Sequence, residues 1–499
     1  MSQAVWPGRF HLGLLAAALL ALPGAASALS GQQPPAPSVT HGVVVGDVTA
    51  RSAVLWARAD RAATLNVTLS GGSHGPVERI AVGASDDYTG TVTLDRLHPG
   101  TTYSYRVWFS LGARGVARGS AVRGSFRTPP ANDEAAEISL AFGGDVAGQN
   151  VCRDTQEGLP IMDTIREWEP DVFVGLGDMI YADNACDATG RYGNGQIGGL
   201  GVAVELGGFW EHWRYNRSDR ASQRLLGTTS YVGVWDDHAV VNDFGPLTDA
   251  PAAPPYTGAH LLPIGLEAFV DYTPIGVSPS DPKRLYRALR WGRHLELFVL
   301  DTRQYRDANS AADNAAQPKT MLGREQLTWL KDSLAASDAT WKVIVSSVPI
   351  SIPTGFPPTN GRDGWANFDQ QTGFEHELLG ILRFLADREI GNTVWVTTDV
   401  HFAEVFRYRP FADQSAFVVH ELATGPLNAG IFPNRDFDPT LSPERLFFFG
   451  PETAGAVASW AEAKRWFNFG TLEVAENGRL TAGIVDTAGE TRFSLELSP

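Results

Sequence analysis

Apolar runs in this chain stop short and hand over to an aspartate at Asp145, Asp178, Asp237 and Asp399, with His238 and His401 close behind two of them. In DVFVGLGDMIYAD, from Asp171 to Asp183, the run ends at Gly177 and delivers Asp178 and Tyr181 together. In VWVTTDVHFAEV the alternation from Val394 to Thr398 ends, and Asp399 and His401, two residues apart on an extended segment, share one side. The stretch WDDHAVVND, from Trp235 to Asp243, supplies the rest. A buried strand does not tolerate a carboxylate in its middle, so these side chains fall at strand ends and gather there as one polar cluster. Carboxylates and a phenol with a few imidazoles suit hard or borderline ions, ferric iron, manganese, calcium or zinc, better than thiophilic ones.

A chain of 499 residues exceeds one ordinary core and implies about two to three domains. Residues 1–28 read as a secretory signal: Leu12 to Leu22 is apolar, Pro23 and Gly24 break it, and Ala26-Ser27-Ala28 fits a small-residue cleavage site. Eleven or so apolar residues are short for a bilayer span of about 20, so no transmembrane anchor is expected after cleavage. Residues 29–38 form a Gln/Pro/Ser linker, and 39–130 an all-β domain of alternating runs divided by Gly, Asp and Pro turns. Within it, LHPGTTYSYRVWF (Leu97 to Phe109) resembles fibronectin type III and other immunoglobulin-like sandwiches, in which one tyrosine anchors a corner.

Over 137–499, strand runs alternate with helical patterns such as GREQLTWLKDSL and HELLGILRFLADREI, as for sheets covered by helices. The Pro/Ala/Thr-rich stretch Pro246 to Gly265 reads as a long loop. The fold class expected is therefore α+β, a β-sandwich followed by a second, larger domain.

The net charge of −16 argues against nucleic acid as a standing partner. The two cysteines, Cys152 and Cys186, each follow a candidate metal loop. In an exported chain they can pair as a disulfide; free buried thiols or a thiolate ligand are the other readings.

GVVVGDVTARSAVLWAR, GLGDMIYAD, RSD at Arg217 to Asp219, WDDH, LDTRQYRD, DGW at Asp363 to Trp365 and DVHFAEV occur in an order that resembles the alkaline phosphatase D family. Its members are secreted enzymes of the calcineurin-like metallophosphatase superfamily. The resemblance implies a metallophosphatase αββα sandwich for 137–499 and two metal ions, iron plus calcium in the family, with manganese or zinc as other candidates. It implies Asp178 as the bridging ligand, with Asp145, Tyr181 and His401 on one ion, Asp237 and Asp399 on the other, and Asn242 joining the second. His238 would protonate the leaving alkoxide or bind a phosphoryl oxygen, and Arg217, or Arg214 beside it, would grip phosphate as a bidentate fork.

The chain departs from the family at three places. Asp145, in FGGDVAGQ, stands where members can carry an iron-binding cysteine; Ala239 replaces the glutamate of WDDHE; Thr398 replaces the glycine of GDVH. The activity implied is hydrolysis of phosphate esters by attack of a metal-bound hydroxide. The alternatives are a diesterase for phospholipid, teichoic acid or nucleotide diesters, and a degenerate surface-binding protein without catalysis.

Overall fold

Alternation along the strands sorts side chains into two kinds of core. In the computed structural model Leu140 and Phe142, Val172 and Val174 point one way into a core shared with Val343, Val345, Val394 and Val396, while Ala141 and Phe173 point the other way, toward helices. On the second sheet, Ile344 and Trp395 likewise turn outward to meet Leu330, Leu334, Leu378 and Leu385. A strand buried on both faces must be apolar there, and Ser139 and Lys342, polar residues within these strands, sit near their starts where burial is incomplete. The result is four layers: helices Pro160–Glu167, Leu206–Arg217, Arg220–Leu226 and Gly258–Tyr272, a nine-stranded sheet, a seven-stranded sheet, and helices Gly323–Ala336 and Glu375–Asp387. The architecture is mixed α+β and sheet-rich.

The described residues are 35–499 apart from 71–77, 113–116, 248–257, 277–280, 356–359 and 369, and Ala36–Pro499 form one compact unit. The expected signal and most of the expected linker lie outside them. Among the described residues no helix is long and apolar enough to cross a membrane.

The N-terminal strands divide between two sheets around a core that includes Val43, Val45, Leu55, Tyr103 and Phe109. One of these sheets, Glu78–Val82, Ala63–Ser70 and Thr102–Leu111 with two short partners, stands apart. The other is continuous with the nine-stranded sheet, because Val39–Gly46 pairs in parallel with Ser230–Gly233. Val44 and Trp56 consequently pack into the helix-covered core of the larger region while their neighbours Val43, Val45 and Leu55 face the N-terminal core. Tyr103 Oη accepts a hydrogen bond from the His98 backbone N–H at 2.8 Å, and Tyr105 Oη donates to the Gly227 carbonyl, 2.8 Å away.

The loop expected over Pro246 to Gly265 gives way at Gly258 to the helix Gly258–Tyr272, which buries Leu261, Leu266 and Phe269. Its proline and glycines masked an apolar face.

Candidate metal centre

Strands Ile138–Gly143, Val172–Gly175 and Ser230–Gly233 run parallel, so the loops that follow them emerge at one end of the nine-stranded sheet. Asp145 follows the first, Asp178 and Tyr181 the second, and Asp236, Asp237 and His238 the third. Thr393–Thr397 in the facing sheet delivers Thr398, Asp399 and His401. The chain turns sharply at each exit: Asp145 (φ 65°), Asp178 (47°), Asp399 (78°) and His401 (59°) all lie in the left-handed region, which non-glycine residues occupy only at a cost of about 1–3 kcal/mol each. Gly177, at φ 143°, has no room for a side chain, since a Cβ there would sit 2.8 Å from Asp236 Cβ.

The groups meet. Tyr181 Oη is 2.8 Å from His401 Nε2 and 3.4 Å from Asp145 Oδ1, and His401 Nε2 is 3.7 Å from Asp145 Oδ1. Asp178, Asp236, Asp237 and Asp399 each offer a carboxylate oxygen within 4.8 Å of the others. Asp178 Oδ2, Asp236 Oδ2 and Asp399 Oδ2 are buried without a hydrogen-bond partner. Two carboxylates at that spacing repel by roughly 3 kcal/mol at an effective dielectric constant of about 20. Burial, reinforced by the neighbouring carboxylates, accordingly pushes the Asp178 and Asp399 pKa values well above the carboxylate range, and burial pushes Asp145 up to about 7. Burial also lowers His401 to about 3, leaving its imidazole neutral, the form that ligates. A buried cluster of acids and phenol with orphaned oxygens and one neutral imidazole fits cations.

His238 has the opposite electrostatics. Burial opposes its charge, but Asp183, Asp237 and Asp178 outweigh burial and raise its pKa well above the usual value. Its Nδ1 lies 2.7 Å from Asp183 Oδ1, and its ring stacks on Tyr181 with centroids 4.1 Å apart. Asp183 therefore supports His238, although position 239, the glutamate of WDDHE, is alanine here. Ala239 packs into the core. Thr398, the other departure, puts its hydroxyl 2.7 Å from Asp145 Oδ2 and 2.9 Å from the Thr424 carbonyl, so the added side chain holds a carboxylate in place.

Behind the cluster lies a buried ion network. Arg303 binds Asp236 through Nε and Asp363 through Nη1 at 2.9 Å, and its Nη2 is 3.6 Å from Asp237 Oδ1. Asp301 and Arg303, neighbours in LDTRQYRD, do not pair through their side chains. Asp301 instead accepts from Trp235 Nε1 and from the Arg303 and Gln304 backbone N–H groups.

A cavity of about 270 Å³ opens over the site, lined by Gln149, Asp237, His238, Asn242, Asp243, Thr354, Gly355, Asp399, His401, Phe432 and Arg435. Asn242 is at its wall, with its backbone N–H donating to Asp183 Oδ2 at 2.8 Å. Arg217 is not there. It is buried in the core among Trp56, Trp213 and Tyr231, its guanidinium carbon 5.2–5.8 Å from their ring centroids, and it donates to the Tyr272 carbonyl. Arg214 pairs with Asp87 at 2.6 Å, also outside the cavity. Both face inward from helix Leu206–Arg217, a direction the motif could not reveal. The arginine at the cavity is Arg435, set over Phe432, which stacks on His401. It sits in GIFPNRDFD, which has no strand-end pattern to mark it.

Cys152 and Cys186 form a disulfide that joins the loop after Asp145 to the loop after Asp178.

The family model described as PhoD-like phosphatase matches residues 140–475, and the model of the PhoD-like phosphatase N-terminal domain matches residues 24–130. The chain belongs to the PhoD-like phosphatase family. Alkaline phosphatase D of Bacillus subtilis (strain 168) is 27% identical over 247 residues, 46% of this chain and 41% of that protein, so the match spans less than half of the relative's length. Among solved structures, one of PhoD superposes over 93% of both chains with a TM-score of 0.71 at 18% identity. Purple acid phosphatase PPD1 from yellow lupin (Lupinus luteus) seeds superposes over 93% of this chain and 75% of its own, with a TM-score of 0.59 at 12% identity. At such identities the likeness extends to the fold. The cluster of Asp178, Asp236, Asp237 and Asp399 lies within the region that the PhoD-like phosphatase model matches.

Proposed function

We propose that this chain is an exported phosphoesterase that uses two metal ions held by Asp145, Asp178, Tyr181, Asp237, Asp399 and His401, with Asn242 at the edge of the second. The observation that carries the reading is the set of buried, orphaned carboxylate oxygens on Asp178 and Asp399 beside a neutral His401. Bound there, the ions would lower the pKa of a water nucleophile and neutralise charge on the phosphoryl oxygens. The donor set is mostly oxygen, which favours hard ions such as iron, calcium or manganese, with zinc as the borderline choice.

The remaining work falls to the chain's own groups. Asp183 holds the His238 ring through Nδ1 and keeps it protonated, which leaves Nε2–H to donate to the leaving alkoxide. Arg435 takes the part expected of Arg217, binding phosphoryl oxygens at the cavity wall. Thr398 holds Asp145 through Oδ2, and Tyr181 Oη, hydrogen-bonded to His401 Nε2, lies 3.4 Å from Asp145 Oδ1. Export is supported by the apolar run Leu12 to Leu22 and by the disulfide, which persists in an oxidising compartment.

The test is metal analysis of the purified protein with hydrolysis of p-nitrophenyl phosphate and bis(p-nitrophenyl) phosphate, with and without chelator. About two metals per chain and chelator-sensitive turnover are expected, and the preferred ester gives the substrate class. Asp178→Asn should abolish turnover and reduce bound metal without unfolding the chain. Absence of both metal and turnover after metal addition would sink the proposal and leave a non-catalytic binding protein.

A further inference from the structure

A groove of about 970 Å³ lies away from the metal centre. Thr228 and Thr229, which line it, immediately precede strand Ser230–Gly233, and Glu169 and Pro170 precede Val172–Gly175. The acids of the metal centre follow the same two strands, so groove and centre lie at opposite ends of the sheet, on the order of 15 Å apart at about 3.3 Å per residue. The groove runs where the N-terminal strands meet helix Arg220–Leu226.

Its charge runs against that of the chain. Net charge is −16 over the sequence, yet the groove is lined by Arg123, Arg166, Arg220 and Arg224 against one acid, Glu169. Arg166 and Arg224 share Asp163, at 3.3 and 2.6 Å, and Arg166 also pairs with Glu167 at 3.0 Å. Arg123 and Arg220 are exposed and make no ion pair among the described residues. On the groove wall His41, at φ 63°, presents a buried Nδ1 that has no hydrogen-bond partner. Arg123 and Arg220, cations without a matching acid, leave a potential that an anion relieves. A single phosphate fills only a fraction of such a volume, and guanidinium forks set along a groove suit several anionic groups on one extended molecule.

We propose that this groove is a second site, distinct from the metal centre, which binds a linear ligand carrying several phosphate groups. The choice of phosphate over another anion rests on the phosphoesterase reading above; the cationic groove itself does not. Such a site would hold a phosphate-rich polymer on the enzyme while its ester linkages reach the metal centre.

The experiment is equilibrium binding of a defined linear polyphosphate, inorganic phosphate and poly-glutamate to the full chain. The proteins compared are the native one, the double variant Arg123→Ser/Arg220→Ser, and Asp178→Asn. Polyphosphate should bind with an affinity that falls steeply with salt, and the double variant should lose at least about tenfold at an unchanged thermal midpoint. Asp178→Asn should bind as the native protein does, which separates the groove from the metal centre. Equal affinity in the double variant would overturn the site, and poly-glutamate binding as tightly as polyphosphate would overturn the phosphate assignment. If the native protein hydrolyses no phosphate ester but the double variant still loses polyphosphate, the groove stands and the phosphoesterase reading falls.

Discussion

Arg303 and Asp363, sixty positions apart in sequence, form an ion pair of 2.9 Å with both side chains essentially inaccessible to solvent. The same guanidinium holds Asp236, so one cation ties the LDTRQYRD, DGW and WDDH segments together directly behind the metal centre. Removing one partner of a buried pair leaves the other charge stranded, at about 3–5 kcal/mol. Arg303→Met should therefore destabilise the protein by about that much in urea denaturation, and more than Asp363→Asn, because it strands Asp236 and Asp363 and removes the cation beside Asp237. A loss below about 1 kcal/mol would show that the network is not held as the contacts indicate.

Asp183 acts through His238. If Asp183 keeps the imidazole oriented and charged, Asp183→Asn and His238→Asn should each lower kcat by about 10²- to 10³-fold with little change in KM. The double variant should be no worse than His238→Asn alone, since the two residues work as a unit. Additive losses in steady-state kinetics would separate their roles.

The two arginines exchange expectations. Arg435→Ala should raise KM for a small phosphate ester by about tenfold, with Arg435→Lys intermediate, because only the planar fork offers two parallel donors. Arg217→Met should leave KM unchanged and alter thermal stability instead, as expected for a guanidinium enclosed by Trp56, Trp213 and Tyr231. A KM effect at Arg217 would contradict its placement.

Glu375 provides a pH dependence away from the metal centre. Burial, and then the neighbouring Asp438 carboxylate, raise its pKa to about 7 from 4.5. The folded state thus binds this proton more tightly than the unfolded state, and the contribution of Glu375 to stability falls as pH rises from about 4.5 to about 7, then levels off. Glu375→Gln mimics the protonated form and should remove that fall. Its advantage over the native protein should be nil below pH 4.5 and about 1 kcal/mol above pH 7, after allowance for partial solvent screening. Denaturation midpoints of both proteins across that range check it, and a difference between them that does not grow through the window would refute the assignment.

Much of the centre was legible because it is written locally. A strand that must be apolar on both faces announces its own end, and Asp145, Asp178, Asp237, Asp399 and His401 were recognisable from the abrupt stop of the runs before them. The ordered motifs brought the family and the layered architecture with them. The helix from Gly258 was missed because Pro263 and the glycines dilute its pattern, although its buried face is apolar.

The sequence by itself determined the strands, their polar exits, the two cysteines and membership of the family, since each depends on residue types at short, fixed spacing. Tertiary structure alone decided which arginine reaches the cavity, that Asp183 and not position 239 supports His238, and that Asp236 is held by Arg303. It also decided that Val39–Gly46 extends the central sheet by pairing with Ser230–Gly233, far along the chain. These choices depend on which loops the strand order brings side by side and on which way a helix turns its charged face. Spacing along the chain carries no information about either, because pairing energy depends on distance and burial in space.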